Sequence, residues 1–173
     1  MIKVGIVGAT GLVGETLTRI LASHPAVELT YLGSEHAVGQ DIATVCPSLK
    51  GIISQRCQPI EIAKISAAAQ VVFVAKPHTE SMKIVPQLLE KDASMKVVDL
   101  SADFRLKDSV VYERWYGVAH IAKELLPLAV YGLPEIYRQQ LRTANLVANP
   151  GCYPTGIILG LAPVISKGLI ELN

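Results

Sequence analysis

Excess charge of one sign is absent from this sequence: 16 lysines and arginines face 15 aspartates and glutamates, a net charge of +1 over 173 residues. That balance excludes a global electrostatic reason for a nucleic-acid or anionic-membrane partner, so any basic patch must be local. Long apolar runs are also missing. The longest, around Val71–Ala75 and Thr155–Val164, fall short of the roughly 20 residues that span a bilayer, and no membrane span is expected. The N-terminus, Met1-Ile-Lys-Val-Gly-Ile-Val, begins a strand pattern at once with Lys3 inside it, unlike a secretory signal. Cysteine is scarce. Cys46, Cys57 and Cys152 form no Cys-x-x-Cys and have no nearby histidine pair, which argues against a disulfide framework and a metal site and favours a reducing cytoplasm. Aromatic residues make up 5% of the chain, yet five of the six tyrosines and the single Trp115 lie between Tyr112 and Tyr153, which suggests a pocket or an interface there.

What is present is a repeating alternation. Half of the residues are hydrophobic, enough for one good core. Strand-like runs at Lys3–Val7, Val27–Leu32, Val71–Ala75 and Lys96–Asp99 are separated by helical patterns at Leu12–Ser23, about Ile62–Ala69 and about Glu80–Lys91. Near-continuous Val/Ile/Leu strands between helices indicate a parallel sheet covered on both faces. The expected fold is therefore α/β, a Rossmann-like open and mostly parallel sheet. In the first helix Val13, Leu17, Ile20 and Leu21 form one apolar stripe suited to packing on that sheet, and His24-Pro25 ends it. The segments Glu35–Ala69 and Ser101–Glu135 read as mostly irregular, punctuated by Gly and Pro. Thr155–Asn173 reads as a helix with little sequence after it to pack against, the pattern of a piece of something longer.

Two turns carry chemistry. The first strand is followed by Gly8-Ala-Thr-Gly11-Leu-Val-Gly14, where glycines permit a tight turn and close backbone approach to a pyrophosphate seated on a helix N-terminus. Gly8, Thr10, Gly11, Leu12, Val13 and Gly14 are the candidate cofactor contacts. After the second strand stands Gly33-Ser34-Glu35: Ser34 suits donation to a 2′-phosphate, Glu35 would repel one, and NADP against NAD stays open on these residues. The second turn is Leu146-Val-Ala-Asn-Pro-Gly-Cys152-Tyr-Pro-Thr-Gly156, which places Cys152 between a short strand and a helix whose N-terminus favours the thiolate. Cys152 is the candidate nucleophile. Two more loops, Ala75-Lys76-Pro77-His78 and Asp99-Leu-Ser101-Ala-Asp103-Phe-Arg105, fall where ligands bind in open α/β sheets, and both are expected to line the nicotinamide side, with Pro77 and Ser101 as contacts. Arg105 and Asn149 are the candidate substrate contacts. Arg105 suits a bidentate grip on a carboxylate or phosphate, with a local Asp103–Arg105 ion pair as the equal alternative. His78 is a less favoured base. His24, His36, His120, Cys46 and Cys57 read as structural or surface residues.

These motifs, with Lys76-Pro77-His78, Tyr131-Gly-Leu-Pro-Glu135 and Ala148-Asn-Pro-Gly-Cys-Tyr-Pro-Thr155, closely resemble the N-acetyl-gamma-glutamyl-phosphate reductases of arginine biosynthesis. The resemblance implies a homo-oligomeric cytoplasmic enzyme that uses NADPH to reduce an acyl phosphate through a thioester on Cys152. It implies an NADP-binding domain over residues 1–149, with residues 150–173 opening a catalytic and dimerisation domain. The family's acid/base histidine and most of that second domain would lie beyond Asn173. Two departures stand out: Glu35 occupies a place often held by a basic residue, and Lys76 is not the usual residue at its position. The alternatives are the same chemistry on an N-acetyl-aminoadipyl or aspartyl phosphate, a dinucleotide-binding module without turnover, and an interaction protein on the same scaffold.

Overall fold

Six short strands rich in valine and isoleucine form one all-parallel sheet, as buried strands between helices should. The computed structural model describes residues 1–170 of the chain. The strands are β1 (Ile2–Val7), β2 (Val27–Gly33), β3 (Val71–Val74), β4 (Lys96–Asp99), β5 (Val130–Tyr131) and β6 (Leu146–Ala148), in the spatial order β2-β1-β3-β4-β6-β5. Between and after them run α1 (Leu12–Ala22), α2 (Ile42–Val45), α3 (Ile62–Ala68), α4 (Ser81–Lys91), α5 (Ser109–Tyr116), α6 (Pro134–Leu141) and α7 (Cys152–Ser166). Residues 171–173, the end of the expected terminal helix, lie outside the described part.

The period-2 alternation of the strands sorts their side chains into two cores. One face carries Val4, Ile6 and Leu32 and is covered by Leu21 with Leu17 of α1 and by Ile42. The other carries Val7, Val72, Val74 and Val97 and is covered by Ile65 of α3 and Met82, Val85 and Leu88 of α4. Each fully buried Leu, Ile or Val contributes about 1.5–3 kcal/mol. The open α/β architecture with helices on both faces is as expected.

The packing of α1 differs from the sequence reading. Its buried residues are Gly14, Thr18 and Leu21, while Val13 and Ile20 are 52% and 59% exposed. The rotation has a local cause. Gly14 has no side chain, so the helix lies directly on the Gly8–Ala9 backbone, and Thr18 Oγ1 is satisfied by Gly14 O at 2.7 Å.

The segment 101–135 is also more ordered than its composition implies. Asp108 caps α5 by accepting from the amides of Val110 and Val111, and Gly117, in the left-handed region at φ 71°, ends it. Lys107 donates to the carbonyls of Leu126 (3.1 Å) and Ala129, closing the chain back toward β5.

Candidate active site

Because every strand is parallel, all of the strand-to-helix turns with candidate residues gather at one edge of the sheet. The chain leaves β1 toward β2 on one side, while β3 lies on the other, and the crevice between them is where ligands bind in such sheets. Gly8 opens the turn there with φ +84°, and a Cβ on it would stand 2.4 Å from Ala75 O. A Cβ on Gly14 would stand 2.1 Å from Gly8 O. Glycine is therefore required at both positions by backbone approach. The amides of Gly8 and Ala9 both donate to Gly33 O at 2.9 Å, tying the turn to the end of β2. Glu15 is the first residue of α1 to close a helical bond, to Gly11 O at 2.7 Å, so the amides of Leu12, Val13 and Gly14 precede the helical ladder.

This turn lines a pocket of about 290 Å³ together with Ser34, Glu35, His36, Ile60, Ala75, Lys76 and Pro77. Room cleared by glycine beside unladdered amides fits the diphosphate of a dinucleotide. The individual candidates divide. Leu12 and Val13 do not line this pocket themselves; they follow directly on Gly11, which does, and their side chains are exposed. Thr10 Oγ1 and Ser34 Oγ share a hydrogen bond of 2.9 Å, and Ser34 Oγ also accepts from Ala37 N at 3.3 Å. Ser34 is only 2% exposed, so its hydroxyl clamps the glycine turn to β2 rather than standing free in the pocket. A larger cavity, lined by Met1, Gln70 and Lys96, opens near the starts of the strands, away from these turns.

The loop after β4 is an interior network. Ser101 is buried; its hydroxyl donates to Asp99 Oδ2 at 2.7 Å and accepts from Asp103 N at 3.0 Å. Burial pushes the Asp99 carboxyl upward, against the hydrogen bonds from Ser101. Asp103, fully buried, accepts from Thr79 N and Met82 N, both at 2.8 Å, and from Tyr112 Oη at 2.6 Å. It thereby holds the Lys76–Thr79 loop, whose Thr79 sits at φ 73°. The Asp103–Arg105 ion pair considered from sequence does not form, because Asp103 is committed to these donors. Arg105 turns the other way: its Nε donates to Asn149 O at 2.7 Å and Nη2 to Leu100 O at 3.1 Å. Nη1 lies 3.2 Å from where a Cβ of Gly151 would be, so the guanidinium packs closely against this turn. Arg105 and Asn149, the two candidate substrate contacts, are thus joined immediately before Cys152.

Cys152 is the first residue of α7 and is exposed, and among the described residues none of α7 is buried. Cys46 and Cys57 are buried, and burial pushes both thiols upward, Cys46 to about 11. His78 is exposed and its ring lies 5.4 Å from that of Tyr116. Among the described residues no three His, Cys, Asp or Glu side chains form a metal-binding group, and no helix is long and apolar enough to cross a membrane.

His120, read as structural or surface, is interior. It is 1% exposed, packs edge-on against Phe104 and Tyr112 at 5.3 and 4.9 Å, and accepts from Ala122 N at 3.1 Å through Nδ1. Burial pushes its pKa below the ordinary histidine value, against the pull of Asp103 and Glu124. The unfolded chain then takes up a proton that the folded chain refuses. The stabilising contribution is fully present above about pH 6.5 and is lost as pH falls through the depressed folded value. Thermal melting is expected to fall between about pH 7.5 and 5.5, and His120→Asn, which keeps an acceptor for Ala122, should flatten that fall. An unchanged slope in the variant would assign it to other groups.

An open parallel sheet with a glycine turn at its switch point defines a dinucleotide-binding domain of the dehydrogenase type. Residues 3–144 match the family profile of the semialdehyde dehydrogenase NAD-binding domain, and the chain belongs to that family. Its sequence is 50% identical over 170 residues to an N-acetyl-gamma-glutamyl-phosphate reductase of Magnetococcus marinus, covering 98% of this chain and 48% of the relative. It is 53% identical over 171 residues to the reductase of Desulforudis audaxviator, covering 99% and 49%. The chain thus spans about half the length of the curated relatives it matches. In fold it resembles aspartate semialdehyde dehydrogenase II of Vibrio cholerae, with a TM-score of 0.68 and 21% identity over 96% of this chain and 47% of that one. The NADP complex of the Candida albicans enzyme aligns with a TM-score of 0.67 at 16% identity, over 96% and 47%.

Two features were not read from the sequence. The Asp108 to Gly117 cap pair that bounds α5 was legible as a signal but lay in a segment assigned to irregular structure. The ion pair of Lys76 with Glu35 had no local signal, since 41 positions separate partners brought together by neighbouring turns.

Proposed function

We propose that this chain is the dinucleotide-binding part, with the nucleophile, of an enzyme that reduces N-acetyl-L-glutamyl 5-phosphate to N-acetyl-L-glutamate 5-semialdehyde using NADPH. The observation that carries this reading is an exposed Cys152 at the head of α7, on the sheet edge that also bears the glycine turn. It lies within a match to reductases that spans 170 residues at 50% identity. Gly8, Gly11 and Gly14, with the amides of Leu12 and Val13, hold the cofactor diphosphate; Thr10 and Ser34 hold that turn in shape, and Pro77 forms its lip.

Cys152 attacks the acyl carbon as a thiolate, the bond to phosphate breaks, and the acyl group remains as a thioester. A reduced nicotinamide held by this turn would supply the hydride that takes the thioester to the aldehyde level. Cys152 then leaves as the thiolate and the aldehyde departs. In this reading amides at the start of α7 stabilise the oxyanion, and Arg105, hydrogen-bonded to Asn149 O and Leu100 O, supports the turn and is the candidate cation for the substrate. Ser101 acts from within by bracing the loop after β4. Residues 150–173 open the substrate domain in this reading. The exposed apolar side chains of α1 and α7 support a homo-oligomer, and three free thiols support a cytoplasmic setting.

Protein containing this sequence, mixed with N-acetylglutamyl phosphate without NADPH, is expected to release one phosphate and to carry one N-acetylglutamyl group on the Cys152 peptide. Adding NADPH should discharge it as the semialdehyde. Acylation elsewhere, or none, would overturn the reading.

A further inference from the structure

The two residues that depart from the family resemblance are each other's partners. Lys76 Nζ lies 2.8 Å from Glu35 Oε1, across the pocket that the glycine turn lines. Among the described residues this is the one ion pair that joins distant segments; the other two are local i,i+3 pairs at the N-termini of α3 and α4. The partners are unequal. The Lys76 side chain is 12% exposed and its Cδ lies 3.5 Å from where a Gly8 Cβ would be, so the stem lies along the pocket wall. The Glu35 side chain is 51% exposed and follows directly on the clamped Ser34. The cation is thus the fixed member and the carboxylate the one free to swing into solvent.

Glu35 stands just past the end of β2, where dehydrogenases of this architecture read the 2′ substituent of the adenosine ribose. A 2′-phosphate arriving beside a carboxylate needs a cation, and Lys76 is the one Lys or Arg side chain among the described residues lining the pocket. We propose that Lys76, delivered from the end of β3 and held in waiting by Glu35, is the group that recognises the 2′-phosphate, which displaces Glu35 as its partner. The inference rests on the dinucleotide reading above and adds to it the residue that sets NADP over NAD. An ion pair whose carboxylate is half-exposed exchanges that partner readily, whereas a dianionic phosphate gains a charge-assisted hydrogen bond from a preplaced ammonium.

Titration calorimetry of the chain with NADP⁺ and, separately, NAD⁺ tests this. Lys76→Met is expected to weaken NADP⁺ binding by about tenfold or more and NAD⁺ by less than about twofold, with Lys76→Arg restoring most of the loss. Glu35→Gln should tighten NADP⁺ by about threefold by removing the competing charge. Equal losses for both dinucleotides in Lys76→Met, or no loss, would make Lys76 a wall or a bystander and overturn the inference while leaving the cofactor site standing. A Glu35→Gln variant that loses NAD⁺ affinity would instead make Glu35 a reader of the ribose hydroxyls, and also overturn it. Failure of the unaltered chain to bind either dinucleotide would remove the cofactor reading itself, and this inference with it.

Discussion

On the function proposed above, replacing Cys152 by serine in protein that contains this sequence is expected to lower NADPH-dependent reduction of N-acetylglutamyl phosphate by about 10³-fold or more, the scale on which loss of a covalent nucleophile is felt. Serine keeps the shape of the side chain but exchanges a thiolate for a hydroxyl that is far less ionised and gives an ester in place of a thioester. The residue is exposed at the first position of α7, so the substitution leaves the packing of the sheet untouched. Melting should shift by no more than surface substitutions do, about 0.5 kcal/mol. The other thiols cannot substitute for it. Both are buried, Cys46 with its thiol pushed up to about 11, and native-state iodoacetamide should modify Cys152 while Cys46 and Cys57 react only after unfolding. The absorbance of NADPH and peptide masses after alkylation check the two halves separately. A serine variant within tenfold of the original rate would place the chemistry elsewhere.

Gly14→Ala is expected to damage both fold and cofactor binding. The added Cβ would lie 2.1 Å from Gly8 O, 2.8 Å from Ala9 Cα and 2.9 Å from Ala9 C. All of these are backbone atoms, so no rotamer change relieves the overlap and α1 must lift away from the turn. Overpacking of this kind costs about 1–3 kcal/mol, and with no side chain to yield the upper end is expected. For a domain of this size that is a melting temperature lower by about 6–12 °C. The same displacement moves the amides of Leu12 and Val13 and should weaken NADP⁺ by about tenfold or more. Gly160→Ala in α7 is the control. Nothing lies within 4 Å of its added Cβ, and in a helix interior alanine is favoured over glycine by about 0.5–1 kcal/mol. If Gly14→Ala melts and binds like the original chain, the close approach of α1 to its turn has no energetic weight.

Much of the fold was legible because its signals are local. Continuous Val/Ile runs bounded by turns identify β1, β3 and β4 to within a residue, since a strand buried on both faces must be apolar throughout. The glycine turn and the Cys152 turn were legible for the same reason: each is a short segment whose residue types are demanded by backbone geometry. The buried stripe of α1 was misread because hydrophobic spacing scores side chains only. Gly14 and Thr18 carry little hydrophobic signal, yet a missing side chain is what lets a helix lie closest. Beyond the Asp108 and Gly117 caps, the order in residues 101–135 comes from side-chain bonds that span 9 and 19 positions, Tyr112 to Asp103 and Lys107 to Leu126 O, which no short-range pattern reports.

The sequence by itself determined the class of fold, the two turns and the identity of the candidate nucleophile, since each depends on neighbours along the chain. Only the tertiary structure decided what the polar side chains of the other loops do. It turned Arg105 from Asp103 to Asn149, closed Ser34 onto Thr10 and set Lys76 against Glu35. A charged or hydroxyl side chain has several partners available in sequence, and the choice among them is made by which strand ends a parallel sheet brings to the same edge.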